Sequence, residues 1–467
     1  MQCFARSKAA RWAAFLLTAL LAAAFAGALA PASAHAQDAA HSPCIATVEQ
    51  RAAYAADGTL DEREAFQESL GNDEPSPGLV QQALAREQAQ NGIAPNAVPG
   101  DDGGMAAIGN AHVVALRVSF PDRPFAEGDT LEALQTLIGP RAVGEAALPS
   151  AGGFPYENLH DYYLRASYGA LTVTGEAFDY AAQHERDFYT ANIGQLYKEA
   201  LDHLEASGID LARFDANGDG RIDAVYLHFA GGDTGWGSVW WSNEQVLDVP
   251  DAVYADGTVR LWNAVALSNP CDQPWAAQTI IHETGHVLGL PDYYQYASQQ
   301  GGSTDRTGIL TFDIMMQNQG DHNGFSKWML GWLPDSKITR IFANETGIDV
   351  KRDGKVVQHV DATADGSSSV EAALEAFASN DIDETGGIVV VANQDASMFS
   401  SYYLLQYDRF AGNQSVRYEQ DGQPAELPSG FRLFRVQADL GSGGPYVVHS
   451  NTYGTVHNQL IELVDPD

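Results

Sequence analysis

The chain has 467 residues, 45% of them hydrophobic and 10% aromatic, so it can bury more than one sizeable core. Its 61 acidic residues outnumber its 26 basic ones, and the net charge of −35 excludes proteins that bind nucleic-acid phosphates or anionic lipid through a basic surface. We therefore expect a monomer of two or three folded units with no nucleic-acid partner.

The N-terminus has the pattern of a secretory signal peptide. A basic start at residues 6–11 precedes an apolar run over residues 12–30, and a small-residue cleavage site follows at 34–36. An uncleaved membrane anchor is the alternative, although much of the apolar run is weakly apolar alanine. We assign residues 1–36 to the signal peptide and predict a secreted, extracellular protein that has no membrane contact once the signal is removed.

Residues 37–108 are predicted to be a propeptide and linker. Segment 37–90 is polar and rich in Ala, Glu and Gln, with helices predicted over 60–70 and 79–90, and it lacks the apolar density of an independent domain. Residues 91–110 collect Pro, Asp and Gly, a flexible and protease-accessible composition, so we expect activation cleavage there.

Region 109–335 alternates predicted strands and helices, which is typical of a mixed α/β unit. The predicted strands cover residues 112–120, 171–180, 224–231, 239–242 and 259–267, and the predicted helices cover 156–166, 193–206 and 275–288. The tryptophan-rich segment 231–241 is predicted to form an edge strand above a cleft, where an extended peptide could pair with the main chain. The alternative is that these tryptophans lie in the core.

An acidic loop in this unit has the spacing of a calcium-binding loop. Its oxygen donors stand at alternate positions, as calcium prefers, and the predicted ligands are Asp215, Asn217, Asp219, Asp223 and the carbonyl of Arg221. Tyr226 replaces the usual final Glu, so a carboxylate from elsewhere or Asp223 itself must complete the shell. An Asp/Asn/Gly turn without metal is the alternative.

The predicted helix 275–288 carries the motif H-E-x-x-H, extended to H-E-x-x-H-x-x-G-x-x-D at residues 282–292. Four-residue spacing places His282 and His286 on one helical face, roughly 5–6 Å apart at Cβ, which suits two ligands of one tetrahedral zinc ion. Glu283 projects beside them, where it can act as the general base for a hydrolytic reaction.

The residues after the helix supply a third ligand. Gly289 allows a left-handed turn and Pro291 cannot continue the helix, so Asp292 can return beneath the metal. Three protein ligands leave one coordination position open, which is typical of catalytic zinc, whereas a structural site is closed by four ligands. A helix with two solvated histidines is the alternative for a bare H-E-x-x-H motif.

Residues 336–467 are predicted to form a C-terminal all-β sandwich. Short strands are predicted between Gly, Asp and Asn turns, over residues 388–392, 402–407, 431–436, 446–449 and 460–464.

Further motifs accompany the helix: V-V-A-L-R-V-S-F-P-D-R-P-F at 113–125, D-Y-Y-L-R-A-S-Y-G at 161–169, D-A-N-G-D-G-R-I-D at 215–223, F-D-I-M-M at 312–316 and S-K-W-M-L-G-W at 326–332. Together they resemble the metzincin clan of zinc peptidases, and within it the immune inhibitor A family of secreted bacterial metallopeptidases. The resemblance implies a mixed α/β, metzincin-like catalytic domain, and it makes Met315 the methionine of the Met-turn, with Met316 the other choice.

Two features depart from the metzincin pattern. The third ligand is Asp292 where most metzincins use His, a trait that also resembles snapalysin. No Tyr follows the Met-turn to assist an oxyanion, and Tyr293 and Tyr294 are more typical of packed residues.

We interpret the sequence as a zinc-dependent endopeptidase that hydrolyses peptide bonds of extracellular proteins or peptides. The alternatives are a catalytically inactive adhesion or carbohydrate-binding protein on a peptidase scaffold, and a zinc hydrolase of non-peptide bonds. A protease exported with its own propeptide as inhibitor must block the open zinc position. The candidates are the thiolate of Cys44 and an acidic side chain of the propeptide, while a Cys44–Cys271 disulfide or two inert thiols are the alternatives. The cysteine spacing is not that of a cysteine-based metal motif.

Overall fold

The computed structural model describes residues 46–90, 103–140, 158–268, 270–271, 276–296, 309, 313–363, 369–372, 374–377, 385–420, 423–426, 428–452 and 458–464. The predicted signal peptide, Cys44 and the predicted cleavage segment up to residue 102 lie outside these ranges. No helix within the described ranges is both long enough and apolar enough to cross a membrane.

Three helices precede the first sheet: α1 (Val48–Asp57), α2 (Leu60–Leu70) and α3 (Pro77–Gln90). The apolar side chains of α3 do not form a core of their own. Leu79, Val80 and Ala83 are instead buried in the main hydrophobic core of the molecule. This part of the predicted propeptide is therefore packed onto the rest of the chain.

A five-stranded sheet follows, whose strands in spatial order are β2 (Leu171–Ala181), β1 (Gly109–Ser119), β3 (Val225–Phe229), β7 (Asn263–Leu267) and β4 (Asn243–Val246). Strands β2, β1, β3 and β7 are parallel to one another, and β4 pairs antiparallel with β7 at the edge of the sheet. A small hairpin joins β5 (Val253–Tyr254) and β6 (Val259–Arg260).

Helices cover both faces of this sheet, as its apolar parallel strands require. One face packs against α4 (Leu131–Ile138), α5 (Leu159–Ala166) and α7 (Ala276–Val287), and the other packs against α6 (Ile193–Ala206). Successive residues of β1 alternate between these two cores, with Val113 in the first and Val114 in the second. The sheet thus provides a rigid base for α7, the helix that carries the histidine motif.

The edge strand lies later in the chain than the sequence predicts. Residues 239–242 form turns, and the strand runs over Asn243–Val246. Trp236, Trp240 and Trp241 are 1%, 3% and 8% exposed, so the alternative of core tryptophans is correct and the predicted strand at 239–242 is wrong. Their large apolar rings gain more free energy from burial than from a place on an open edge.

After α8 (Ile314–Gln317) and α9 (Gly324–Met329), an eight-stranded sheet dominates. Its strands are β8 (Ile338–Ala343), β9 (Gly347–Arg352), β10 (Lys355–Asp361), β11 (Ala376–Phe377), β12 (Ile388–Ala392), β13 (Ser401–Asp408), β16 (Gly430–Gln437) and β17 (Ile461–Leu463). Strands β14 (Arg417–Gln420) and β15 (Gln423–Glu426) form a separate hairpin. The strand predicted over 446–449 is reduced to one bridge between Leu440 and Val447.

One face of this sheet belongs to the main core, which it shares with α3, α7 and α9 through Ile338, Val390, Leu404 and Phe434. A smaller apolar cluster that includes Ile341, Ile348 and Val350 covers the other face. The described residues after 335 contain this sheet and the β14–β15 hairpin, and the C-terminal β-sandwich stays a prediction. The inner face of the sheet is buried against the rest of the chain, so the core is continuous across residue 335.

Candidate metal centre

The two histidines of the motif lie on the inner face of α7, which is buried along its whole length. Gly285 stands between them because a Cβ at this position would lie 2.3 Å from Sδ of Met315. The helix ends where Leu290 N–H donates to the carbonyl of Gly285, and Gly289 adopts the left-handed φ of +87° that this ending needs. The chain then turns back so that Asp292 faces both histidines.

Three donor atoms converge at this point. His282 Nε2 and His286 Nε2 lie 3.1 Å and 3.3 Å from Asp292 Oδ1, and 3.2 Å from each other. An ion bound tetrahedrally with bonds of roughly 2.0–2.1 Å separates its ligand atoms by roughly 3.3 Å. The three separations therefore fit one zinc-sized ion.

The outer hydrogen bonds of the histidines determine which nitrogen faces the centre. His282 Nδ1 lies 2.9 Å from the carbonyl of Ile314, and His286 Nδ1 lies 2.8 Å from the carbonyl of Leu290. A carbonyl can only accept, so both Nδ1 atoms carry hydrogen and the neutral rings present their Nε2 lone pairs to each other. Two lone pairs at 3.2 Å repel unless a cation or a proton lies between them.

The electrostatics of the group favour a positive charge. Burial raises the pKa of Asp292, but the charge of His286 and hydrogen bonds from His282 and His286 lower it further, to below the usual range. Burial lowers the pKa of His286, but the Asp292 carboxylate and the charge of Glu283 raise it to about 9. The residues present thus suit a resident cation.

Residues beneath the centre fix its ligands. Met315 is fully buried under Gly285, and its carbonyl accepts a hydrogen bond from Tyr293 N–H at 3.0 Å. The assignment of Met315 to a Met-turn stays a prediction from the resemblance. Tyr296 O–H donates to Asp292 Oδ2 at 2.7 Å and holds the carboxylate that faces the histidines.

Two acidic residues lie close to the histidines. Glu283 is 3% exposed, and its charge raises the pKa of both His286 and Glu244. Glu244, on the edge strand β4, is also buried, and burial raises its pKa to about 8. The sequence reasoning identified Glu283 by its motif but missed Glu244 and Tyr296, because no local pattern marks either residue.

The tyrosines considered for oxyanion binding are packed. Tyr293 O–H lies 2.7 Å from Ser326 Oγ, and the ring of Tyr294 is buried with its centroid 6.4 Å from that of His282. His322 lies beneath Gly285, and its ring nitrogens have no hydrogen-bond partner among the described residues. Burial lowers its pKa well below the usual value, so it is a neutral packing residue.

A segment of the predicted propeptide crosses the cleft beside this centre. We call residues 72–76, between α2 and α3, the strap. The carbonyl of Asn72 accepts from Asp292 N–H at 2.7 Å, and its Nδ2 donates to the carbonyl of Glu244 at 3.1 Å. Ser76 N–H donates to the carbonyl of Gly289 at 2.9 Å. The strap therefore bridges the edge strand and the ligand loop.

The carboxyl of Asp73 lies within electrostatic reach of the ligands. Its partial burial raises its pKa, and the charge of Asp292 raises it further. Burial and the charge of Asp73 raise the pKa of its neighbour Glu74. A cavity of about 470 Å³ is lined by the strap together with Glu244 of β4 and His286 of α7.

The predicted calcium loop has a different geometry from this centre. Asp215 Oδ1 accepts the N–H groups of Gly218 and Asp219 at 2.8 Å and 3.0 Å, and Asp219 Oδ2 accepts Gly104 N–H at 2.8 Å. Asp223 accepts His112 N–H at 2.7 Å, and burial raises its pKa to about 7. Within the described residues, the loop is not among the groups whose ligand atoms converge within 4.8 Å. Calcium binding by Asp215, Asn217, Asp219, Arg221 and Asp223 stays a prediction.

That prediction has a direct test. Added calcium should raise the melting temperature, because a ligand at a hundred times its dissociation constant stabilises the folded state by about 2.7 kcal/mol. The combined change of Asp215→Ala and Asp219→Ala should remove the increase, as measured by differential scanning calorimetry at constant ionic strength. An unchanged calcium response in the double variant would show that the loop does not bind the ion.

Comparison with known proteins adds no relative. No protein-family profile matches the chain, and no curated protein matches it. The resemblance to the immune inhibitor A family therefore stays a prediction from the quoted motifs.

Proposed function

We propose that this chain is a secreted zinc-dependent endopeptidase that hydrolyses peptide bonds of extracellular proteins. The observation that carries the proposal is the convergence of His282 Nε2, His286 Nε2 and Asp292 Oδ1 at mutual distances of 3.1, 3.2 and 3.3 Å. Two imidazoles and one carboxylate make a three-ligand set of the kind that catalytic zinc sites use. The signal-peptide pattern at residues 1–36 supports secretion.

The residues around this set have complementary tasks. When bound, zinc would polarise the scissile carbonyl and acidify a water molecule. Glu283, next to His282 in the chain, would take the proton of that water on a carboxylate oxygen and give it to the leaving amine. Tyr296 would hold Asp292 in place through its 2.7 Å hydrogen bond, and the carbonyls of Ile314 and Leu290 would orient the two histidines.

The strap supports a peptide as the substrate. It occupies the cleft through main-chain hydrogen bonds: the carbonyl of Asn72 accepts from Asp292 N–H, and Ser76 N–H donates to the carbonyl of Gly289. On its other side, Asn72 bonds the carbonyl of Glu244 on the edge strand. A cleft that holds one segment of polypeptide by its backbone offers the same donors and acceptors to another.

We also propose that the propeptide is the enzyme's inhibitor, with Asp73 of the strap as the blocking side chain. The two acidic residues of the strap differ in their surroundings. Burial is the largest cause of the raised pKa of both residues, and the charge of Asp292 raises the pKa of Asp73 further, whereas the charge of Asp73 raises that of Glu74. A carboxylate is a zinc ligand, so Asp73 can fill the position that substrate would need.

Metal removal tests the proposed activity. Protein whose propeptide has been cut and removed should degrade casein, lose this activity in a chelator, and regain it when zinc is restored. The zinc content of the same samples should be measured by mass spectrometry. Proteolysis that persists after zinc is lost would contradict the proposal, and zinc-loaded protein that cleaves no protein substrate would favour the inactive scaffold.

A further inference from the structure

A second group of metal-binding side chains lies away from the histidine motif. Asp129, His228 and Cys271 each offer one ligand atom, and these atoms lie within 4.8 Å of one another. They come from three parts of the chain: the residue before the N-cap of α4, strand β3, and the loop after β7. All three are buried, with exposures of 4%, 1% and 1%. Nothing in the proposed peptidase chemistry uses them.

The ring of His228 faces oxygen atoms on both sides. Its Nε2 lies 2.7 Å and 2.9 Å from the two carboxylate oxygens of Asp129, and its Nδ1 lies 3.3 Å from the carbonyl of Leu267. When Nδ1 of a neutral ring donates to this carbonyl, the lone pair of Nε2 is directed at the Asp129 side, where it can bind a cation.

We propose that Asp129, His228 and Cys271 bind a second ion of the zinc class, apart from the proposed active site. A thiolate, an imidazole and a carboxylate are the three donor types that zinc takes in proteins, whereas calcium and magnesium prefer oxygen alone. All three donors are buried, as are those of the His282, His286 and Asp292 set. The proposal does not rest on the peptidase activity.

The separations allow such an ion after a small adjustment. Bonds of roughly 2.0 Å place nitrogen and oxygen ligands about 3.3 Å apart, so the Asp129 carboxylate must move back by about half an ångström from its present contact. The main chain of Asp129 can stay in place, since its carbonyl is held by Arg117 Nε at 3.0 Å.

The position of the group determines which elements a bound ion would connect. Cys271 lies in the segment that leads from β7 to α7, the helix of His282 and Glu283. Asp129 precedes α4, and His228 belongs to the central strand β3. One ion would therefore tie the entrance of the active-site helix to the centre of the sheet. The sequence did not indicate this group, because the fold brings together one cysteine and two residues that are far from it in the chain.

Cobalt binding tests the proposal. A thiolate bound to Co²⁺ gives a charge-transfer band in the near ultraviolet, and the His282, His286 and Asp292 set contains no sulfur. The intact precursor, stripped by a chelator and reloaded with Co²⁺, should show this band and bind about two equivalents of metal. Cys271→Ser should abolish the band and lower the binding to about one equivalent.

Two controls separate the sites. Cys44→Ser should keep the band. Asp292→Ala should also keep the band, but it should bind about one equivalent of cobalt instead of about two. His228→Gln, which retains the thiol, should weaken or remove the band even if Cys271→Ser fails to give folded protein by circular dichroism. A wild-type precursor without the band would overturn the proposal and leave a buried Asp129–His228 ion pair. Loss of the band in Cys44→Ser would also overturn it and place Cys44 on the catalytic ion.

Discussion

Glu283→Gln should lower peptide hydrolysis by roughly a hundred- to ten-thousandfold, the usual contribution of a general base. Gln has the same shape as Glu but cannot take a proton from water. Glu283 is not one of the three converging ligands, so the zinc content should stay at the wild-type value. The measurement is kcat/KM on a fluorogenic peptide, together with the metal content of the same sample.

The matched control for this variant is Glu132→Gln, which changes an exposed glutamate in the first turn of α4. It should leave both activity and metal content unchanged, because surface substitutions of this kind alter little. If Glu283→Gln retained more than about a tenth of the wild-type turnover, another group would have to move the proton.

Asp73→Asn should make the uncut precursor active, with a rate roughly ten- to a hundredfold above that of the wild-type precursor. Loss of a hydrogen bond or contact to a charged group costs about 1.5–3 kcal/mol, and each 1.4 kcal/mol changes an equilibrium about tenfold. Cleavage of a small peptide should be measured on protein whose intact mass has been verified, so that released enzyme does not contribute.

Glu74→Gln is the matched control, since it removes the adjacent carboxylate of the same strap. That precursor should stay latent, and Cys44→Ser should stay latent as well. If Cys44→Ser were active and Asp73→Asn latent, the inhibitory ligand would be the thiolate. If all three precursors were latent, the block would arise from the strap's main chain and the packing of its helices rather than from one side chain.

Local patterns in the sequence predicted helices and strands on both sides of residue 335. The amphipathic pattern predicted a helix with the bounds observed for α6, Ile193–Ala206. The apolar run at Ile388–Ala392 predicted a strand with the bounds observed for β12. The convergence of His282, His286 and Asp292 could be predicted because their spacing is a local property: one helical turn, a helix end at glycine, and a short return of the chain. For such features, the residues that interact are close in the sequence.

The features that the sequence did not indicate depend on distant parts of the chain. Glu244 belongs to the cleft because β4 pairs with β7, and Asp73 belongs to it because α2 and α3 pack on the catalytic unit. Strands β8 to β10 were also missed. The exposed residues of β10 include Val356 and Val357, so this strand lacks the alternation that marks a half-buried strand.

Hydrogen bonds attach the helices of the predicted propeptide to the rest of the chain. Arg63 donates to the carbonyl of Trp236 at 2.6 Å, and Glu87 accepts from Ser397 Oγ at 2.6 Å and from Met398 N–H at 3.0 Å. At the end of the predicted linker, Gly104 N–H donates to Asp219 Oδ2 at 2.8 Å. A cut in residues 91–102 breaks none of these contacts.

Cleavage therefore separates the two parts covalently but leaves the strap in the cleft. Before the cut, the linker holds the propeptide at a local concentration on the order of millimolar, and afterwards only its own affinity retains it. After the cut, the cleft becomes accessible at the rate at which the propeptide dissociates. It stays accessible only where the protein is dilute or the released helices are digested. For the proposed secreted enzyme this would couple activity to distance from the cell, because dilution proceeds as the protein diffuses away.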